Sequence, residues 1–247
     1  MSIKTPEELA GMRAAGRVVR EMLEAMKLAA RSGITTGELD AIGAEVMRAH
    51  GARSAPALVY GFPGVSCISV NDEIVHGIPG RRRLRNGDLL KLDVTIEKDG
   101  FMADAAESIV VGSVNGVGQR LSECAQRAFE SAMKAAKIGN RVSEIGQAVE
   151  QEVRSSGFFV IRELGGHGIG RTIHERPSVP NFADPFAQAI LTYGLVITVE
   201  PIIASRSGRA LLAQDGWTMR TADRGLAAHY EHTLMITSDE PLLFTAA

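Results

Sequence analysis

The chain has 247 residues, 45% of them hydrophobic, with 27 basic and 29 acidic side chains and a net charge of −2. That length is enough for one sizeable core, and the balanced charge provides no global field for DNA or for a membrane surface. Its two cysteines, Cys67 and Cys124, lie far apart, which argues against a secreted disulfide framework and for a reducing compartment, the cytoplasm.

Residues 1–8 lack the apolar core of a signal peptide and read as a helix start. Thr5 is placed to cap, Pro6 takes the first helical position, and Glu8 completes a Thr-x-x-Glu capping box. Helical periodicity follows over 6–30, 37–50, 118–137 and 143–155. Strand-like runs lie at 66–70, 74–76, 88–96, 101–111, 158–163, 195–200 and 230–236. No apolar run approaches the roughly 18 residues that span a bilayer. No linker divides the chain, so one domain over 1–247 is expected.

Two stretches echo each other. Gly33-Ile34-Thr35-Thr36-Gly37-Glu38-Leu39 resembles Gly139-Asn140-Arg141-Val142-Ser143-Glu144-Ile145, and at the same offset Gly51 faces Gly157. They are either two ordinary capped helices or the trace of an internal duplication, with halves of about 1–112 and 113–247. The run Leu89–Val94, carrying Asp93, echoes Val196–Pro201, carrying Glu200. An acid at matching points of two halves favours a site on the pseudo-symmetry axis.

Asp93 interrupts an apolar strand, where a buried carboxylate must be paired or bind metal. A turn at Lys98-Asp99-Gly100 returns the chain through Asp104. A turn centred on Lys98-Asp99 sets Asp104 opposite Asp93; one centred on Asp99-Gly100 sets it opposite Thr95. Both registers put the two aspartates on one face. Two like charges so close destabilise a sheet unless a cation lies between them. Glu200 and Glu231 repeat the theme, and His167 sits in Gly165-Gly166-His167-Gly168-Ile169-Gly170, where glycine permits close approach to a ligand. Asp93, Asp104, His167, Glu200 and Glu231 form a hard oxygen set with one imidazole, suited to two divalent ions such as Co, Mn, Fe or Zn. Four carboxylates balance two such ions, which lower the pKa of a bridging water.

At these residues the sequence resembles the type I methionine aminopeptidases, over nearly its whole length. The matching stretches include Asn71–Pro79, Leu92–Thr95, Gly166–Arg171, Thr198–Pro201 and Tyr230–Thr233. The resemblance implies an α+β pita-bread fold, with two pseudo-symmetric halves, a curved antiparallel sheet and helices on its outer face. It also implies hydrolytic removal of the initiator methionine from nascent proteins, with a small second residue preferred. Asp93 would be the bidentate ligand of one metal, Asp104 and Glu231 bridging ligands, and His167 and Glu200 would complete the other. Glu200 would also carry the proton from water to the leaving amine. His174 would hydrogen-bond the scissile carbonyl and His76 would contact the scissile amide. Phe62, Cys67 and Trp217 match the methionine pocket.

Some positions depart from the family. Ile173 stands where an aromatic residue is usual, Val59 and Pro56 are uncommon choices, and Ala105 replaces a small hydroxyl residue after Asp104. The departures leave a low-activity paralogue as one alternative. A same-fold enzyme cleaving Xaa-Pro bonds and a metal-free binding protein are others. The short form implied by the resemblance is cytoplasmic and monomeric. The run Arg81-Arg82-Arg83-Leu84-Arg85 reads as a solvated loop, or as a basic patch for transient contact with the ribosome.

Overall fold

A computed structural model describes residues 1–112 and 116–246. In chain order the elements are α1 Pro6–Ala29, α2 Thr36–Ala49, β1 Arg53–Ser54, α3 Ala55–Tyr60, β2 Cys67–Val70, β3 Leu89–Lys98 and β4 Phe101–Val110. Then follow α4 Val117–Ala135, α5 Val142–Ser155, β5 Phe159–Val160, β6 Gly165–Gly168, β7 Glu175–Pro180, β8 Val196–Val199, β9 Ile202–Ala204, β10 Ala210–Leu212, β11 Met219–Thr221, β12 Ala227–His229, β13 Glu231–Met235 and β14 Leu242–Leu243.

The four long helices fall where periodicity places them. α1 starts at Thr5, whose side chain accepts the Glu8 N–H at 3.2 Å, with Pro6 in the first turn. The reciprocal half of the expected capping box goes elsewhere: the Glu8 carboxylate accepts the Lys4 N–H at 2.8 Å. α2 has a complete box between Thr35 and Glu38. Its partner in the sequence echo, α5, is also 14 residues long, and Gly33, Gly139, Gly51 and Gly157 all have positive φ. The 112/113 boundary between the expected halves falls at the edge of the described residues.

The central sheet runs β1-β3-β4-β13-β8-β6-β7, with β2 on β3 and β14 on β13, and every pairing is antiparallel. One core packs α1 and α2, through Met12, Met22, Met26 and Leu39, on Leu90, Leu92 and Val94. A second packs α4 and α5, through Ala125, Phe129, Ile145 and Val149, on Ile197, Val199 and Leu234. Each buried Val, Leu, Ile, Phe or Met side chain among these contributes about 1.5–3 kcal/mol. The helices thus cover one face of the sheet, and the acids point to the other.

The β3–β4 register settles the alternatives. Thr95 pairs with Asp104 and Lys98 with Phe101, so the turn is Asp99-Gly100, both with positive φ. Asp93 lies two residues along from Asp104's partner, on the same face. Lys91 shares that face; it is 1% exposed, and its ammonium donates to the carbonyls of Asn71 (2.8 Å) and Ala227 (3.0 Å). Burial pulls its pKa down to about 7.

The 74–76 run is not a strand of the sheet. It exchanges two backbone hydrogen bonds with β11, Ile74 N–H to Met219 and Met219 N–H to Val75. The six-residue α3 and the short strands β1, β6, β7, β9, β10, β11, β12 and β14 have no counterpart among the runs read from sequence, because such short pieces show no period of their own.

Candidate metal centre

Asp93 and Asp104 reach the face opposite the helices from β3 and β4, Glu200 from the bend after β8, Glu231 from the start of β13, and His167 from β6. With His76, His174, Phe62, Cys67, Ile173 and Trp217 they line a single cavity of about 350 Å³. Asp104, His167 and Glu231 each offer a ligand atom, all within 4.8 Å of one another. His167 Nε2 lies 3.7 Å from Glu200 Oε1.

Local hydrogen bonds aim these groups. His167 Nδ1 lies 2.9 Å from the Gly168 carbonyl; donation there leaves Nε2 with a free lone pair. Thr198 Oγ1 accepts the His167 N–H at 3.1 Å and lies 3.4 Å from Glu200 Oε1, while Asn181 Nδ2 donates to the Glu200 carbonyl. Thr233 clamps the Asp104 backbone in both directions. Gly166 and Gly168 serve a purpose other than ligand approach. A Cβ at Gly166 would sit 2.4 Å from the Thr198 carbonyl oxygen, and one at Gly168 would sit 2.3 Å from that of Arg176, so the contacts are with neighbouring strands.

The electrostatics are those of a crowded acid cluster. Burial, then Glu231 and Asp93, pushes Asp104 well above the usual carboxylate range. Burial, then Glu200, pushes Glu231 up to about 8. Burial raises Asp93 too. Burial opposes ionisation of Glu200, yet His229 and His167 beside it hold its pKa below the usual value. Buried Asp104 Oδ1 and Glu231 Oε1 have no hydrogen-bond partner among the described residues. Oxygen atoms left without partners among like charges fit divalent cations of the oxygen-and-imidazole class.

Beside the acids lies an apolar wall. Phe62 and Trp217 meet edge to face with centroids 5.3 Å apart, and Ile173 and Cys67 are buried. Burial and the nearby Asp93 raise the Cys67 thiol well above its usual range, keeping it neutral. His76 adopts φ +56, an uncommon conformation for a residue with a side chain. The Ser69 hydroxyl anchors its neighbour by accepting the Gly77 N–H at 3.0 Å.

The sequence pattern of metallopeptidase family M24 spans residues 10–238. The chain belongs to this family. Methionine aminopeptidase 2 of Bacillus subtilis is 44% identical over 247 residues, covering 99% of both chains, and the Escherichia coli methionine aminopeptidase is 39% identical over 97% of this chain and 91% of its own. The crystal structure of methionine aminopeptidase from Thermotoga maritima superposes with a TM-score of 0.96 at 32% identity, covering 100% of both chains. Prolidase from Pyrococcus furiosus, at 23% identity and a TM-score of 0.80, shares the pita-bread fold.

Within this M24 peptidase several sequence expectations change. Ala105 is fully buried in the helix-side core, so its missing hydroxyl faces away from the acids. Val59 is 45% exposed and lies outside the cavity wall, whereas Pro56 lines it. In the basic run Arg81, Arg82, Arg83 and Arg85 are all exposed; Arg82 bonds Glu73 at 3.0 Å and Arg83 bonds the Gly33 carbonyl at 2.6 Å.

Two cavity residues escape the sequence reading. Tyr60 Oη lies 2.6 Å from His174 Nδ1. His229 is 2% exposed, with Nε2 3.3 Å from Glu200 and 3.4 Å from Glu231. Burial pulls its pKa down, but the two carboxylates outweigh that and push it up to about 10. Its spacing of two from Glu231 was the available signal, since period two in an extended segment would point both side chains the same way.

Proposed function

We propose that this M24 peptidase removes the initiator methionine from proteins and peptides with a small second residue. The observation that carries the reading is the meeting of four carboxylates, one imidazole and an apolar wall in one cavity. It belongs to a chain 44% identical to a methionine aminopeptidase over its full length.

Asp93, Asp104, His167, Glu200 and Glu231 would hold two divalent ions of Co, Mn, Fe or Zn. Ions bound there supply Lewis acidity and an activated water. The remaining work falls to the side chains. Phe62, Trp217, Ile173 and Cys67 receive the methionine thioether through apolar and sulfur–aromatic contacts. His174 donates from Nε2 to the scissile carbonyl oxygen as it gains negative charge. His76 contacts the scissile amide. Glu200 takes a proton from water and passes it to the leaving amine.

No helix among the described residues is long and apolar enough to cross a membrane. A cytoplasmic monomer acting on nascent chains is part of this proposal, as is descent of its halves from a duplication. Transient docking on ribosomal RNA would fall to Arg81, Arg82, Arg83 and Arg85. Reversing these charges should weaken salt-dependent ribosome binding, and unchanged binding would remove that element.

The deciding assay follows methionine release from Met-Ala-Ser by metal-stripped protein resupplied with Co, Mn, Fe or Zn, beside an Ala-Pro peptide. Metal-dependent release of methionine is the expected result. Cleavage of the proline peptide alone would move the activity to the Xaa-Pro class.

A further inference from the structure

His229 has no role in the chemistry above, yet its imidazole points into the centre. Its main chain is fixed: the Ser108 hydroxyl accepts the His229 N–H and donates to the His229 carbonyl, both at 2.8 Å. The backbone from which the side chain projects is therefore held by β4. Nε2 stands 3.3 Å from Glu200 Oε2 and 3.4 Å from Glu231 Oε2. It makes an aligned hydrogen bond with neither, and both ring nitrogens lack a partner among the described residues. An imidazole serving only to donate to a carboxylate would aim its N–H at one oxygen. This one aims between two.

Ligand atoms about 2.0–2.2 Å from a shared ion lie roughly 3–3.5 Å from one another, the spacing found here. Glu200, His229 and Glu231 each offer a ligand atom within 4.8 Å of the others. We propose that His229 Nε2 is a sixth protein ligand of the centre, sharing one ion with Glu200 and Glu231. The inference rests on the metal-centre reading above. It adds a second imidazole to a set otherwise containing only His167 as a nitrogen donor. Imidazole suits Zn, Fe and Co better than Mn, which prefers oxygen. His229 therefore biases the site toward the more nitrogen-seeking ions.

The test is a crystal structure of the Co-loaded protein, together with Co and Mn titrations of wild type and His229→Gln. Nε2 is expected within about 2.0–2.3 Å of a cobalt ion. His229→Gln should weaken Co binding about 10–100-fold while Mn binding falls less. Cobalt held by Asp93, Asp104, His167, Glu200 and Glu231 with His229 Nε2 more than about 3 Å away would overturn the sixth ligand and leave the metal centre standing. Absence of cobalt from all five would overturn both. If His229→Gln fails to fold, the wild-type crystal decides alone.

Discussion

Tyr60 Oη and His174 Nδ1 stand 2.6 Å apart, joining the end of α3 to the loop before β7. Burial and the neighbouring His167 hold the His174 pKa down to about 4, so the ring is neutral at pH 7. The phenol then donates to Nδ1, and the ring's own hydrogen stays on Nε2. Tyr60 is thus a positioning residue that selects the tautomer able to donate to a carbonyl oxygen. Tyr60→Phe should lower kcat on Met-Ala-Ser about 10-fold with KM little changed. It should also shift the His174 nitrogen resonances toward a tautomer mixture. A KM effect alone would contradict this role.

Removal of metal should weaken the fold. Without cations, Glu231 is pushed up to about 8 and Asp104 well above its usual range, because buried carboxylates face one another. An ion at 100 times its dissociation constant adds about 2.7 kcal/mol. Calorimetry after thorough chelation should show a lower Tm, restored by resupply. An unchanged Tm would count against the clustering of the five ligands.

Gly166→Ala should be severe for a single methyl group. The new Cβ would meet the Thr198 carbonyl oxygen at 2.4 Å, and that atom belongs to β8 and cannot swing aside. Overpacking of this kind costs about 1–3 kcal/mol. The forced separation of β6 and β8 would also displace His167. Urea unfolding and metal titration should both worsen; a variant that keeps wild-type metal affinity would contradict the tight strand contact.

Glu97 ties the β3–β4 hairpin together. Burial raises its pKa, but Arg53 at 2.8 Å and the Gly100 N–H at 2.7 Å outweigh that and hold it below 4.5. A carboxyl with a depressed folded pKa stabilises above its unfolded value, and the contribution disappears as pH falls through the folded one. Wild type should therefore exceed Glu97→Gln by about 1 kcal/mol at pH 7. The gap should close as pH falls through the lowered folded pKa of Glu97. A constant gap across that range would mean the ionised form contributes nothing.

Much of the fold was legible because α1, α2, α4 and α5 are long enough to show a 3.6-residue period and carry recognisable caps. Placing Asp93 and Asp104 on one face needed only the parity of the hairpin, whichever turn formed. Choosing between the turns needed Asp99 and Gly100 in positive φ, which local sequence suggests without deciding. His229 was hidden because its meaning depends on Glu200, brought beside it through the bend after β8. Tyr60 was hidden because its partner is 114 positions away. The basic run is exposed, as its sequence suggests, but the partners of Arg82 and Arg83, Glu73 and the Gly33 carbonyl, were hidden because other segments contribute them.

The edge-to-face contact of Phe62 with Trp217 makes the cavity observable by light. Trp217 is the single tryptophan of the chain, half-buried in the pocket wall, its turn fixed by Asp215 accepting the N–H groups of Trp217 and Thr218. All indole emission therefore originates at the position proposed to receive the substrate's thioether. Entry of a ligand and loss of the residue beside it are both read by one fluorophore, with no label attached and no second indole in the chain.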